Sequence, residues 1–267
     1  MAELPEPITS FDTARSAFLR YASGFLTGRG ETDCGTGLKI EHTLRVLDET
    51  EQLAASENFS PTETRLSRYA ALLHDLSRFE QFARFRTFRD AESFDHGDRS
   101  AELAAELGFT APLPREEADA VLLAVRRHNK IALPETMDPL SAAPSRAVRD
   151  ADKLDIMRIF LDYLDRPENP AVVFSLRRDG GISPEVMAAL RERRSPDHAV
   201  MRSVADFAAA KLVWAFDLSS RHARREFLRR GCFEHLMRHL PAEPELAELR
   251  RDAEEFLKGG VSRDSAR

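Results

Sequence analysis

Along nearly every stretch between turn signals, apolar residues recur at spacings of three and four, and strand-type alternation of Val and Ile is hard to find. The pattern predicts an all-α chain. A first helix is expected over 11–25, and Gly28, Gly30, Gly35 and Gly37 mark a loop before a second over 38–56. Ser60, Pro61 and Glu63 have the order of a capping box with proline at the first helical position, opening a third helix that ends near Leu76. Phe79, Phe82, Phe85 and Phe88 then follow at every third position, interleaved with arginines, and read as an aromatic loop. Such a stripe packs a core, or else walls a pocket for a flat group. Further helices are expected at 96–107, at 114–128, where Glu116 and Glu117 suit the positive helix end, and at 142–165.

The stretch 166–183, with two prolines and a Gly-Gly pair, reads as a connection. Helices near 184–193, 199–217, 221–239 and 243–258 follow, with Trp214 to Asp217 in their core and a frayed tail over 259–267. The expected organisation is a domain over 1–166 and a helical extension over 167–267 packed on it.

Composition narrows the function classes. A chain of 267 residues with 42% hydrophobic content can bury one large core. Its net charge of −6 argues against coating a nucleic-acid polymer, whereas a local basic pocket suffices for a small anion. Cys34 and Cys232 stand far apart, which fits neither a disulfide framework nor a zinc cluster and points to a reducing cytoplasm. Charges interrupt every apolar run, and the start Met-Ala-Glu-Leu-Pro has no signal-peptide pattern, so neither membrane nor export is expected.

The residues that carry chemistry are His42, the pair His74-Asp75, His96, His128 and Asp152. Imidazoles and carboxylates together suit divalent ions such as Mn, Fe, Co or Zn, and a carboxylate can bridge two ions, which makes Asp75 the candidate bridge. Adjacent residues on a helix diverge by about 100°, so a ligating His-Asp pair belongs at a helix terminus. Apolar residues flank His42 on both sides of its helix, and His128 shares the stripe of Val121, Ala124 and Val125. Both histidines are expected inside, where an unsatisfied ring nitrogen costs about 1–3 kcal/mol. Asp155 shares a helix face with Asp152 and can orient a ligand histidine. His235 and His239 stand four apart, but Leu236 replaces the glutamate of the zinc-protease pattern, and their place in a last helical turn is explained by the helix dipole.

The order His42, His74-Asp75, His96, His128, then Asp152 within Asp150-Ala151-Asp152-Lys153-Leu154-Asp155, closely resembles the HD superfamily of metal-dependent phosphohydrolases. The resemblance covers about 38–156, including Arg78-Phe79-Glu80-Gln81 and Asp95-His96. It implies an HD-type helical bundle with additional C-terminal helices. It also implies that His42, His74, Asp75 and Asp152 hold one divalent ion (Mn, Fe, Co, Mg or Zn), with His96 and His128 at the positions of a second.

Ser77-Arg78 stands where guanosine-tetraphosphate hydrolases and nucleotidase-type members carry an acidic residue, and Asn129 where cyclic-di-GMP phosphodiesterases carry a further histidine. Both departures argue against those activities. The expected function is hydrolysis of a small phosphorylated molecule, a nucleotide or phosphodiester. Asp75 would orient the attacking water, and Arg78 and Lys153 would neutralise charge on phosphoryl oxygens, with Lys130 a further phosphate candidate. Two rival classes share the framework: a di-iron oxygenase and a ligand-sensing module without turnover.

Overall fold

The computed structural model describes residues 7–173 and 176–259. The start Met-Ala-Glu-Leu-Pro and the tail beyond Gly259, which is expected to fray, lie outside the described residues. Among the described residues the regular structure is helical, apart from one isolated bridge between Arg177 and Ser203. None of these helices is long and apolar enough to cross a membrane. The chain divides into two compact units, Met1–Asp155 and Ile156–Arg267.

The first unit contains α1 (Phe11–Ser23), α2 (Gly30–Ser56), α3 (Pro61–Leu73), α4 (Arg78–Phe85), α5 (His96–Glu106), α6 (Arg115–Arg127) and the start of α7 (Pro139–Asp165). The capping box at Ser60 and Glu63 is formed, with Glu63 N donating to Ser60 Oγ at 3.2 Å and Ser60 N donating to Glu63 Oε2 at 2.8 Å. Helix α3 packs on α2 and α6, and α5 packs on α6. Tyr69, Leu72 and Leu73 of α3 join Ala14, Ala17 and Phe18 of α1 and Val121 and Val125 of α6 in one core.

Two local expectations are corrected in this unit. Helix α2 begins at Gly30, not near Leu38, so of the glycines read as a loop Gly30, Gly35 and Gly37 lie in a helix and Gly28, with φ of 76°, precedes it. Gly35 is there because a ring needs the space: a Cβ on it would stand 2.5 Å from Cζ of Phe82. The segment read as an aromatic loop is helix α4. Phe79 and Phe82 sit one turn apart and are buried, Phe82 stacks on Phe88 with centroids 4.9 Å apart, and the helix stops at Arg86, whose φ is 57°. The stripe is mainly core packing, with Phe85 exposed.

Gly35→Ala tests this contact. In an ordinary helix interior the change favours folding by about 1 kcal/mol. Here the new methyl meets a ring that cannot retreat from Phe88, and overpacking costs about 1–3 kcal/mol. The variant should melt below wild type; a higher melting temperature would show that the ring has room to move.

The second unit contains the end of α7, α8 (Pro184–Arg191), α9 (Val204–Ala210), α10 (Arg221–Arg229), α11 (Cys232–His239) and α12 (Pro244–Gly259). The helix expected over 199–217 is broken into 3-10 turns at His198–Val200 and Val213–Asp217 around α9. Ser203 and Asp206 form a new capping box at the start of α9. The helix expected over 221–239 is divided at Gly231, whose φ of 61° interrupts the helical backbone.

Candidate metal centre

The His74-Asp75 pair stands at the junction of α3 and α4. Helix α3 ends at Leu73, Leu76 N donates to Leu73 O at 3.1 Å and Arg78 N to Asp75 O at 3.0 Å, so the chain turns within four residues. Ser77 ties this turn to the start of α5, its Oγ donating to His96 O at 3.0 Å. Helix α2 brings His42 from one side, α7 brings Asp152, and the ends of α5 and α6 supply His96 and His128.

All six residues converge. His42 Nε2 lies 3.2 Å from His74 Nε2, 3.1 Å from Asp152 Oδ1 and 3.4 Å from Asp75 Oδ2. His74 Nε2 is 3.5 Å from Asp75 Oδ2 and 3.8 Å from Asp152 Oδ1. Ligand atoms on one tetrahedral ion, each about 2.0–2.2 Å from it, stand roughly 3.3–3.6 Å apart. The other oxygen of Asp75 faces a second group, with Oδ1 3.6 Å from His96 Nε2 and 3.8 Å from His128 Nε2, while the two imidazole nitrogens are 3.0 Å apart.

The far side of each ring fixes which nitrogen faces inward. His74 Nδ1 is 2.7 Å from Ala71 O and His128 Nδ1 2.7 Å from Val125 O. These carbonyls only accept, so each Nδ1 carries the hydrogen and, in the neutral ring, each Nε2 presents a lone pair. His42 Nδ1 meets Asp155 Oδ2 at 2.7 Å, and His96 Nδ1 meets Asp90 Oδ2 at 2.6 Å. Four imidazoles are therefore oriented with Nε2 inward, two of them by carboxylates. Buried lone pairs at 3.0–3.2 Å repel unless a cation or proton stands between them. The donor set fits divalent ions.

Charge at the centre follows from burial and neighbours. Burial opposes charging His42, yet Asp152, Asp155 and Asp75 outweigh it and push its pKa up to about 10. Burial and then the Arg78 guanidinium lower the pKa of His96; burial followed by His96 and His74 holds that of His128 well below its ordinary value. Burial favours protonated Asp75, but Lys39, His74 and His42 together keep it ionised, well below the usual carboxylate range. The carboxylates are thus charged at neutral pH, and His96 and His128 are neutral donors.

The expected phosphate contacts are surrounded differently. Arg78 is buried, and its Nη1 donates to Gln81 Oε1 and Phe88 O, both at 2.7 Å, and to Asp90 Oδ1 at 3.0 Å. Its Nη2 lies 3.1 Å from His96 Nε2 and its Nε 3.3 Å from Asp75 Oδ1. Lys130 is paired with Asp95 and Asp98 at the start of α5, at 2.6 and 3.1 Å. Lys153 follows Asp152 on α7 and is half-buried.

The lysine at Asp75 is Lys39, missed in the sequence, with Nζ 2.6 Å from Asp75 Oδ2. Its signal was present, since it precedes His42 by three positions on one helix. Asp90 was also missed, and its non-helical spacing from His96 gave no signal. Arg149, buried in α7, donates to the carbonyls of His128 at 3.0 Å and Lys130, capping the end of α6 that carries His128.

Asp155 holds His42 while also accepting from Arg45 Nε at 2.7 Å. Carboxylates behind ligand imidazoles commonly contribute 10–100-fold to metal affinity. Asp155→Ala should weaken metal binding by about that factor in competition with a chromophoric chelator. Unchanged affinity would mean that packing alone orients His42.

The sequence model of the HD domain family matches residues 40–157, a span that contains all six convergent residues. No curated protein and no solved structure matches the chain.

Proposed function

Residues 40–157 make the chain a member of the HD-domain superfamily of metal-dependent phosphohydrolases, and from that premise we propose that it hydrolyses a small phosphorylated molecule, a nucleotide or phosphodiester. The observation that carries the reading is the set of four imidazoles turned inward around Asp75, each with Nδ1 engaged behind it. His42, His74, Asp75 and Asp152 would hold one divalent ion, and Asp75, His96 and His128 a second. Such an ion lowers the pKa of water toward neutrality and polarises a phosphoryl oxygen.

The chain's own groups supply the rest. Asp75 directs one oxygen to each ligand group, which suits a bridging role. Lys39, at Asp75 on the ligand side and 5.3 Å from the Phe88 ring centroid, is the cation best placed to meet phosphoryl oxygens. Lys153, beside Asp152, is a second. Arg78 acts as a positioning residue, holding Asp75, Asp90 and His96 in one arrangement.

The test is a chelator-stripped full chain supplied separately with Mn, Fe, Co, Mg and Zn and offered nucleoside mono-, di- and triphosphates, cyclic nucleotides and a generic phosphodiester. Hydrolysis of a panel member that depends on metal return is expected, read as phosphate or nucleoside from nucleotides and as the monoester product from cyclic nucleotides and the phosphodiester. Tight ligand binding without turnover across the panel would favour a sensing module, and oxygen uptake by the iron-loaded chain an oxygenase; either result would displace the hydrolytic reading.

A further inference from the structure

The C-terminal unit contains a separate cluster of metal-ligating side chains that the hydrolytic reading does not use. His235 and His239 occupy successive turns of α11 on one face. Opposite them is Asp165, the last residue of α7. Both histidines turn Nε2 to the same carboxylate oxygen, His235 at 3.0 Å and His239 at 3.1 Å from Asp165 Oδ1. Their rings are tilted by 30° with centroids 5.6 Å apart, and the three ligand atoms all lie within 4.8 Å of one another.

Two features favour a cation here. Helices α7 and α11 both end at the cluster, so the negative ends of two helix dipoles add to the charge of Asp165. The histidines are partly exposed and their Nε2 atoms could each face water, yet both face one oxygen. An ion can coordinate all three atoms after small side-chain adjustments, because ligand atoms on a tetrahedral centre stand roughly 3.3–3.6 Å apart.

We propose that Asp165, His235 and His239 form a surface site for a divalent ion of the zinc type, with water completing its coordination. Two imidazoles and one carboxylate suit zinc, nickel or copper, whereas magnesium and calcium prefer all-oxygen sites. The ion would clip the end of α7 to α11 within the C-terminal unit. This site does not depend on the hydrolytic reading.

The test counts zinc bound by the full chain after chelator treatment and dialysis against zinc, comparing wild type with the double variant His235→Asn, His239→Asn. The double variant should hold one equivalent fewer and show a smaller zinc-dependent rise in melting temperature than wild type, a rise that in the Asp75→Asn background should be lost. In the Asp75→Asn background the same difference of one equivalent should persist, which separates this site from the HD centre. If the double variant loses helicity by circular dichroism, Asp165→Ser at the exposed helix end makes the same comparison. Equal zinc content with and without these side chains would overturn the site and leave a carboxylate hydrogen-bonded by two histidines.

Discussion

Asp75→Asn should strip the HD centre of its metal and lower metal-dependent hydrolysis by more than about 100-fold, since even orienting residues behind ligands are worth 10–100-fold. Asp75 turns one oxygen to each side of the centre: Oδ2 lies with His42 and His74, and Oδ1 with His96 and His128. Asparagine keeps the size but offers one oxygen in place of two and no charge. Lys39 and Arg78 lose their carboxylate as well, so a modest fall in thermal stability accompanies the change. Helicity should stay near wild type because the core around Tyr69, Phe18 and Phe79 is untouched. Elemental analysis and rate measurements are made well below the melting transition. Retained metal with full activity would remove Asp75 from the centre of the mechanism.

Arg78→Ala should act mainly on stability. The guanidinium is buried and reaches five acceptors on four stretches of chain, among them Asp75 and Asp90. Removing one partner from a buried ionic network costs about 3–5 kcal/mol, because the remaining charges stay desolvated without compensation. The denaturant midpoint of the metal-free chain should therefore fall. Arg78→Lys should recover only part of the loss, since an ammonium on a flexible stem cannot match a planar fork with five donors. The opposite pattern, unchanged stability with depressed turnover, would make Arg78 a direct contact to substrate phosphate and return it to the role its sequence position invites.

Much of the centre was legible in the chain because its determinants are local or belong to residue type. The period of three and four announced helices, and Ser60 with Glu63 announced the start of α3. The geometry of adjacent helical residues required His74 and Asp75 to stand at a helix end, where they are. The apolar stripes beside His42 and His128 turned both inward. What failed locally depended on partners distant in sequence. The glycines of α2 lower helix propensity and read as a loop, but Phe82, 47 positions beyond Gly35, needs the space that a Cβ would fill.

By itself, then, the sequence determined an all-helical chain and the types and order of the residues that converge in it. Tertiary structure alone decided that both oxygens of Asp75 face imidazoles, that Lys39 stands at Asp75, and that Arg78 is enclosed by acceptors. Helical period and capping are set by neighbours a few residues away, whereas the partner of a buried charge is set by which helices meet.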